Sequence, residues 1–492
     1  MSTMAVNKAA VYNNQWEAAD FIDHDKIYRL LEEGKQASPQ TIRAIIEKAR
    51  EAKGLTPSEV AILLQNEDQE LIEAMYEVAK EIKLKIYGKR LVLFAPLYIS
   101  DHCVNNCVYC GYRRDNKFNR RKLSQEEIAE EVKILESLGH KRIALEAGEH
   151  PGECPIEYVL ESLKTIYSIK FDNGSIRRAN VNIAATTIEE YKLLKDAGIG
   201  TYILFQETYH RETYQKMHPS GPKSDYDWHT TAHDRAMLAG IDDVGFGPLL
   251  GLYDYKFEIM GLMLHAQHLE ERFGVGPHTI SVPRIRPANG IDYNNFPYLV
   301  NDDQFLKLIA IIRLAVPYTG MIISTRERPE YRDMLLNYGI SQISAGSCTG
   351  VGGYKKEQER QNCLTSGQSN CGCSEDEPPQ FMVDDHRTPN EILQNICESG
   401  WLPSYCTACY RKGRTGDRFM ALAKTGEIQN VCQPNAILTF KEYLMDYATP
   451  ETKAVGEETI RKHLEEINNE QIRKTTEDRL AQIEAGERDL YF

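Results

Sequence analysis

The sequence predicts an α/β chain built as a (β/α)8 TIM barrel, with an N-terminal helical extension and a mostly helical C-terminal region. Three observations predict it. Eight short apolar runs recur at 91–99, 142–147, 179–185, 201–206, 243–247, 279–282, 320–324 and 342–345, each of strand length. Amphipathic stretches separate them and carry helix punctuation. Ser124 and Glu127 form a capping box with Gly139 past the last periodic residue, and Thr187 and Glu190 repeat the box ahead of Gly198. Strands that alternate with helices pair in parallel, and eight such units close on themselves.

Residues 1–90 come first and read as helices. Ser38-Pro39 supplies an N-cap with proline at the first helical position, and Ile42, Ile45, Ile46 and Ala49 then fall on one face. Thr56-Pro57-Ser58-Glu59 is a second capping box, and a further helix is predicted over 69–86. The barrel occupies 91–348. Residues 349–380 turn rich in Gly, Ser, Gln and acidic side chains and read as a loop or linker. Its three cysteines, Cys363, Cys371 and Cys373, read as exposed thiols rather than as metal ligands. From 381 to 492 the chain looks ordered again, as a C-terminal domain. A helix is expected at 388–398, then the stretch W-L-P-S-Y-C-T-A-C-Y, then two more helices.

The bulk properties exclude several classes. Of 492 residues, 42% are hydrophobic and 26% charged, as in an ordinary soluble globular protein. A net charge of −14 without a basic stripe argues against nucleic acid or an anionic membrane as a partner. No apolar run is long enough to span a bilayer, and the first residues lack the apolar core of a signal peptide. Twelve cysteines in such a chain point to thiolate metal ligands and a reducing, cytoplasmic setting.

The chemistry is concentrated in the stretch S-D-H-C-V-N-N-C-V-Y-C-G-Y-R-R, which follows the first predicted strand and therefore falls at the catalytic face of a barrel. It places Cys103, Cys107 and Cys110 in a C-x3-C-x2-C array. Four cysteines would close every iron of a cubane cluster, whereas three leave one iron open to a non-protein ligand. Structural zinc, which favours paired C-x2-C ligands, and an array without metal are the competing readings. A second array, Cys406-x2-Cys409-x22-Cys432, again has three cysteines, and here zinc or a second cluster with an open iron both remain. Cys154, Cys348 and Cys397 have no partner by spacing and read as core or surface residues. Arg284, Arg286 and Arg326 stand at strand ends, where an arginine serves either a surface ion pair or a clamp for a carboxylate. His278, a lone histidine before the sixth strand, has by pattern alone an ordinary structural role.

The C-x3-C-x2-C loop resembles that of the radical S-adenosylmethionine (SAM) superfamily. The resemblance implies that the open iron is chelated by SAM, which an electron from the cluster cleaves to methionine and a 5′-deoxyadenosyl radical. It also implies that Tyr109 meets the adenine, and that the backbone around Gly148 and Glu149 binds the SAM amino group. There Ala147-Gly148-Glu149 stands in for the G-G-E stretch of the family. Gln206 and Glu207 are implied at the ribose or methionine end. The stretches V-P-R-I-R-P-A, S-T-R-E, S-A-G-S and G-P-H-T-I-S, together with the second cysteine array, resemble the tyrosine lyase maturases of [FeFe]-hydrogenase over nearly the whole chain. This resemblance implies two [4Fe-4S] clusters. L-tyrosine is split into p-cresol and dehydroglycine, and the latter yields CO and cyanide at the auxiliary cluster on Cys406, Cys409 and Cys432. A dangler iron, bridged by L-cysteine and bound by His278, collects them as an iron–CO–cyanide–cysteine synthon. Arg326 and, less directly, Ser344 are implied at the substrate carboxylate. A reductant such as ferredoxin or flavodoxin and other hydrogenase maturation proteins are the implied partners. The rival expectations are a 2-iminoacetate synthase for thiamin, which lacks the second array, a non-catalytic iron–sulfur scaffold and a zinc-stabilised structural protein.

Overall fold

Strands that are apolar on both sides need a ring of helices to cover them, and this chain supplies one. The computed structural model of the chain describes residues 17–171, 173–366 and 378–492. Its parallel strands are β1 (Arg90–Ser100), β2 (Arg142–Ala147), β3 (Arg178–Asn182), β4 (Tyr202–Ile203), β5 (Val244–Phe246), β6 (Thr279–Ser281), β7 (Gly320–Ile323) and β8 (Gln342–Ser344). They pair in sequence order, and β1 bonds to both β8 and β2, which closes the barrel. All eight predicted runs are strands, most of them trimmed at the ends. β4 has only two residues, yet the ladder runs on through Leu204 N–H to Gly245 O and Gln206 N–H to Gly247 O, both 3.0 Å.

A ninth strand, β9 (Leu402–Ser404), lies in the W-L-P-S-Y stretch where the sequence predicts none. It pairs in parallel with Arg90–Val92, on the edge of β1 below the point where β2 begins to pair at Ala95. Three residues with a central proline carry no strand periodicity, and proline is tolerated because only one edge is used. Two further expectations are corrected. Within 349–380, which reads as a loop, residues Gly353–Ser366 form a helix. The Glu131 carboxylate accepts the Tyr354 and Lys355 N–H groups at 3.1 and 2.8 Å and so caps its first turn, a long-range cap invisible to local composition. The expectations for Cys371 and Cys373 lie outside the described residues, as does the side chain of Cys363. After β9 come five helices rather than two: Ala408–Arg411, Gly416–Thr425, Gln429–Asp446, Pro450–Glu465 and Glu470–Glu484. Two of them are short, and Pro434 inside the third interrupts its periodicity.

Of the four N-terminal helices, His24–Gly34, Pro39–Ala49, Pro57–Gln65 and Gln69–Tyr87, the second and third begin at the caps the sequence announces, Ser38 and the Thr56–Glu59 box, and Asp23 and Asp68 cap the other two. They dock on the barrel's outer helices by apolar packing and by lysines that cap carbonyls. Buried Lys307 donates to Leu64 O (3.0 Å) and Asn66 O, and Lys83 donates to Leu336 O with its ammonium 3.4 Å above the Trp401 ring. One apolar core runs from these helices through the barrel into the C-terminal helices. Among the described residues no helix is long and apolar enough to cross a membrane.

Gly139 shows how tightly the C-terminal helices are seated. Its φ is +88°, and a Cβ built on it would lie 2.3 Å from the Tyr443 ring, which itself stacks on Tyr405. Gly139→Ala is expected to destabilise the fold by about 1–3 kcal/mol, through overpacking and left-handed strain together. A lower urea midpoint of the cluster-free protein would record it.

Candidate functional site

β1 shifts register between Tyr98 and Ser100, and this irregularity aims the cysteine loop across the barrel mouth. The loop is held from several sides. Val104 N–H donates to Glu149 O (2.8 Å), Asn106 N–H to Ser220 O (3.1 Å), Val108 N–H to Met217 O (3.0 Å) and Gly111 N–H to Gln380 O (3.1 Å). Arg120 braces it internally, donating to the carbonyls of Asp101, Tyr112 and Arg113 at 2.6–2.9 Å. Cys103, Cys107 and Cys110 all face one cavity of about 220 Å³ at the C-terminal ends of the strands.

Burial pushes the Cys110 thiol up to about 11 and moves Cys103 and Cys107 in the same direction. These sulfurs are therefore thiolates only where a cation compensates them, as a metal cluster would. Among the described residues no three His, Cys, Asp or Glu side chains converge on one point. A cubane, which carries its irons at separate corners, does not require convergence. The turn after β2 packs closely on the cysteine loop. A Cβ on Gly148 would sit 2.4 Å from His102 O, so only glycine lets this backbone lie against the cysteine loop. Glu149 accepts from Asn105 Nδ2 at 2.6 Å and thereby ties the two turns together.

The remaining predicted residues divide. Tyr109 lines the cavity and shares a 2.8 Å hydrogen bond between its hydroxyl and His218 Nε2. Glu207 lines it too, with φ +67° and its Oε1 accepting from Lys223 Nζ at 2.7 Å. Such a backbone costs a non-glycine residue roughly 1–3 kcal/mol and is retained where a site needs it. Gln206 does not line the cavity. Its neighbour Glu207 takes the inward face, and its own amide turns outward to donate to Thr230 Oγ1 at 2.9 Å. Arg326 lies 3.3 Å over the Phe381 ring on the cavity wall, and among the described residues no carboxylate pairs with it. Ser344 also lines the cavity, and its Oγ accepts the Thr325 N–H at 3.2 Å, which positions the loop that carries Arg326. Arg284 and Arg286 are ion-paired, to Glu327 with Asp302 and to Asp384 respectively.

Sequence reasoning left Glu146, Asn182, Lys223, Gln380 and Phe381 without a role, though all line the cavity. Glu146 had a readable signal, an acid at the end of an apolar strand. Asn182 Nδ2 donates to its Oε2 at 2.7 Å, and burial raises its carboxyl to about 8. Glu258 is raised to about 8 as well, behind the Thr208 turn. A carboxyl raised on folding binds more protons in the folded than in the unfolded chain, so its stabilising contribution is complete below 4.5 and is lost as pH rises through about 8. Glu146→Gln in the cluster-free protein is expected to flatten part of that decline in melting temperature between pH 5 and 8. An unchanged slope would mean that the carboxyl is hydrated in the cavity.

The second cysteine array lies at the other end of the barrel. Cys406 and Cys409 follow β9, and Cys406 O accepts from Arg142 at the start of β2 (2.9 Å). Cys432 is buried in the first turn of helix Gln429–Asp446, against which β9 packs. Arg90, which opens β1, feels both Cys406 and Cys409 electrostatically. His278 precedes β6 at this same end, its ring 4.6 Å from Phe419 and its Nδ1 3.4 Å from Asp243. Burial pulls its imidazole down against the opposing pull of Asp243, which favours the neutral form. Tyr410 caps this mouth under the Arg178 guanidinium at 4.2 Å, with its hydroxyl 3.2 Å from Thr201 Oγ1. β1 spans both ends. Val92 pairs with Ser404 beside the second array, and Ser100 begins the first, so about 26 Å of strand separates them.

Comparisons with known proteins agree with this architecture. Residues 97–263 match the model of the radical SAM superfamily, and residues 281–402 match the biotin and thiamin synthesis associated domain. A crystal structure of HydG, a maturase of the [FeFe]-hydrogenase, is 60% identical, covers 96% of this chain and all of its own, and superposes with a TM-score of 0.91. The HydG structure from Carboxydothermus hydrogenoformans is 38% identical over 94% of this chain and 99% of its own, with a TM-score of 0.78. The 2-iminoacetate synthase of Escherichia coli is 29% identical over 80% of this chain and 95% of its own length. The segment that carries Cys406, Cys409 and Cys432 lies beyond both family models.

Proposed function

Because the chain belongs to the HydG family of radical SAM maturases, we propose that it cleaves L-tyrosine to p-cresol and dehydroglycine and turns the latter into CO and cyanide for [FeFe]-hydrogenase assembly. The observation that carries this reading is the presence of a second three-cysteine array at the barrel end opposite the first, the end at which His278 also stands. A simple tyrosine lyase has no use for it.

When bound, a [4Fe-4S] cluster and SAM supply the reductive cleavage that generates a 5′-deoxyadenosyl radical. Cys103, Cys107 and Cys110 would hold that cluster. Gly148 keeps the neighbouring backbone within reach of a cofactor, and Tyr109 and Glu207 present an aromatic face and a carboxylate suited to adenine and ribose. Arg326 offers a bidentate fork to the substrate carboxylate, and Ser344 fixes the loop that aims it. The enclosed barrel keeps water from a reactive intermediate. At the far end Cys406, Cys409 and Cys432 would hold an auxiliary cluster, and His278 and free L-cysteine would bind the fifth iron. The product is an Fe(CO)2(CN)–cysteine synthon. External electrons come from a reductant such as ferredoxin or flavodoxin, and delivery goes to other hydrogenase maturation proteins.

The test is CO, trapped by reduced haemoglobin, from anaerobically reconstituted protein given SAM, L-tyrosine, L-cysteine, iron and reductant. CO formation supports the whole scheme. Release of p-cresol without CO, from protein whose two clusters are verified, would instead assign the chain to the chemistry named for the E. coli relative, 2-iminoacetate synthesis. Absence of 5′-deoxyadenosine would leave only a scaffold.

A further inference from the structure

The segment from Gln380 to Asp385 crosses the barrel mouth outside the strands and is bonded at nearly every residue. Gln380 N–H donates to Thr349 O (2.9 Å), Met382 N–H to Pro287 O (3.0 Å), and Asp384 and Asp385 N–H to Thr325 O (2.9 and 3.1 Å). Asp385 is buried against Arg332 and Arg387. This strap meets the cysteine loop at Cys110 and Gly111. Gly111, directly after Cys110, donates its N–H to Gln380 O, and a Cβ there would meet that oxygen at 2.7 Å and Pro379 O at 2.9 Å. Glycine at 111 is thus what allows the strap to sit on the loop.

The Gln380 side chain points the same way. The Tyr98 hydroxyl donates to Gln380 Oε1 at 2.9 Å. With its oxygen engaged there, Nε2 is directed at Cys110 Sγ, 3.9 Å away. Among the described residues no other side-chain donor reaches a sulfur of the first array. We propose that Gln380 is a positioning residue for the cluster on Cys103, Cys107 and Cys110: its amide donates a hydrogen bond to the Cys110 thiolate and raises the reduction potential of that cluster. The inference rests on the reading that this array holds an iron–sulfur cluster. A reduced cluster carries one more negative charge, so an N–H donor at a ligating sulfur favours the reduced state, one of the recognised means by which a protein sets such potentials. The donor comes from the strap rather than from the barrel, so the potential depends on how the strap is seated.

The experiment is an electron paramagnetic resonance-monitored reductive titration of the anaerobically reconstituted full chain. The first cluster is recognised by the change in its signal when SAM is added. Gln380→Met removes the donor and keeps the length. At a fixed potential the ratio of reduced to oxidised first cluster is expected to fall about two- to tenfold, as for the loss of one hydrogen bond, tenfold being about 59 mV for a one-electron couple. Tyr98→Phe, which frees the amide to turn, is expected to shift the same cluster in the same direction by less. The second cluster, read in the same titration, stays where it is. An intact first-cluster signal with an unmoved potential in Gln380→Met would overturn the proposal alone, as would an equal shift of both clusters, which signals general loosening. A wild-type protein without a SAM-responsive signal would overturn the cluster reading beneath it.

Discussion

Replacing Cys432 by serine is expected to leave p-cresol formation near the wild-type rate and to cut CO output by at least about 10- to 100-fold, the range associated with lost support of a metal site. Cys432 stands on a helix that contributes nothing to the cavity of the first array, and about 26 Å of β1 separates the two ends. Changes at sites so far apart act independently. The residue is 8% exposed and sits in the apolar core, where a serine hydroxyl costs some stability, so the melting temperature provides the control. Measuring p-cresol and CO from one reaction makes the comparison internal. Normal CO would remove the second array from the reaction, and loss of both products would mean that the two ends are coupled through the fold.

Arg326→Met is expected to lower kcat/KM for L-tyrosine about 10- to 150-fold. Hydrogen bonds to a charged group contribute about 1.5–3 kcal/mol, and each 1.4 kcal/mol is tenfold. The guanidinium lies on the cavity wall, and burial pulls its pKa down, so an incoming carboxylate offsets the cost of burying its charge. Arg326→Lys should recover only part of the loss, because an ammonium keeps the charge but not the planar fork. The loss should appear mainly as a higher KM, while tyrosine-independent formation of 5′-deoxyadenosine stays unchanged. If that background reaction falls in parallel, Arg326 serves the cofactor side of the cavity rather than the substrate.

Much of this could be read in the sequence because the signals were local. Strands with two buried faces appear as continuous apolar runs, and caps such as Thr56–Glu59 and Ser124–Glu127 announce helices within four residues. What escaped depends on contacts between distant segments. The helix Gly353–Ser366 takes its cap from Glu131, more than two hundred residues earlier in the chain. β9 exists only because the lower edge of β1 is open to it. The candidate site divides the same way. The cysteines stood out by spacing, whereas Lys223 reaches the cavity from a single 3-10 turn, and Gln380 and Phe381 from a loop, whose composition says nothing of where they point. Gln206 is implied with Glu207 by the family resemblance, which does not distinguish the two faces of a strand, and alternation turns its amide to Thr230.

β1 works as a ruler. Its eleven residues bond to β8 on one edge and to β9 and then β2 on the other, and the two cysteine arrays are attached near its opposite ends. The span between them is thus set by counting residues along a single strand, with no hinge to adjust it. A one-residue insertion in this strand would turn its side chains over from core to periphery and rotate one end against the other. Lineages descended from a common ancestor with this chain should therefore vary in length in their loops, while the interval from Arg90 to Ser100 stays constant.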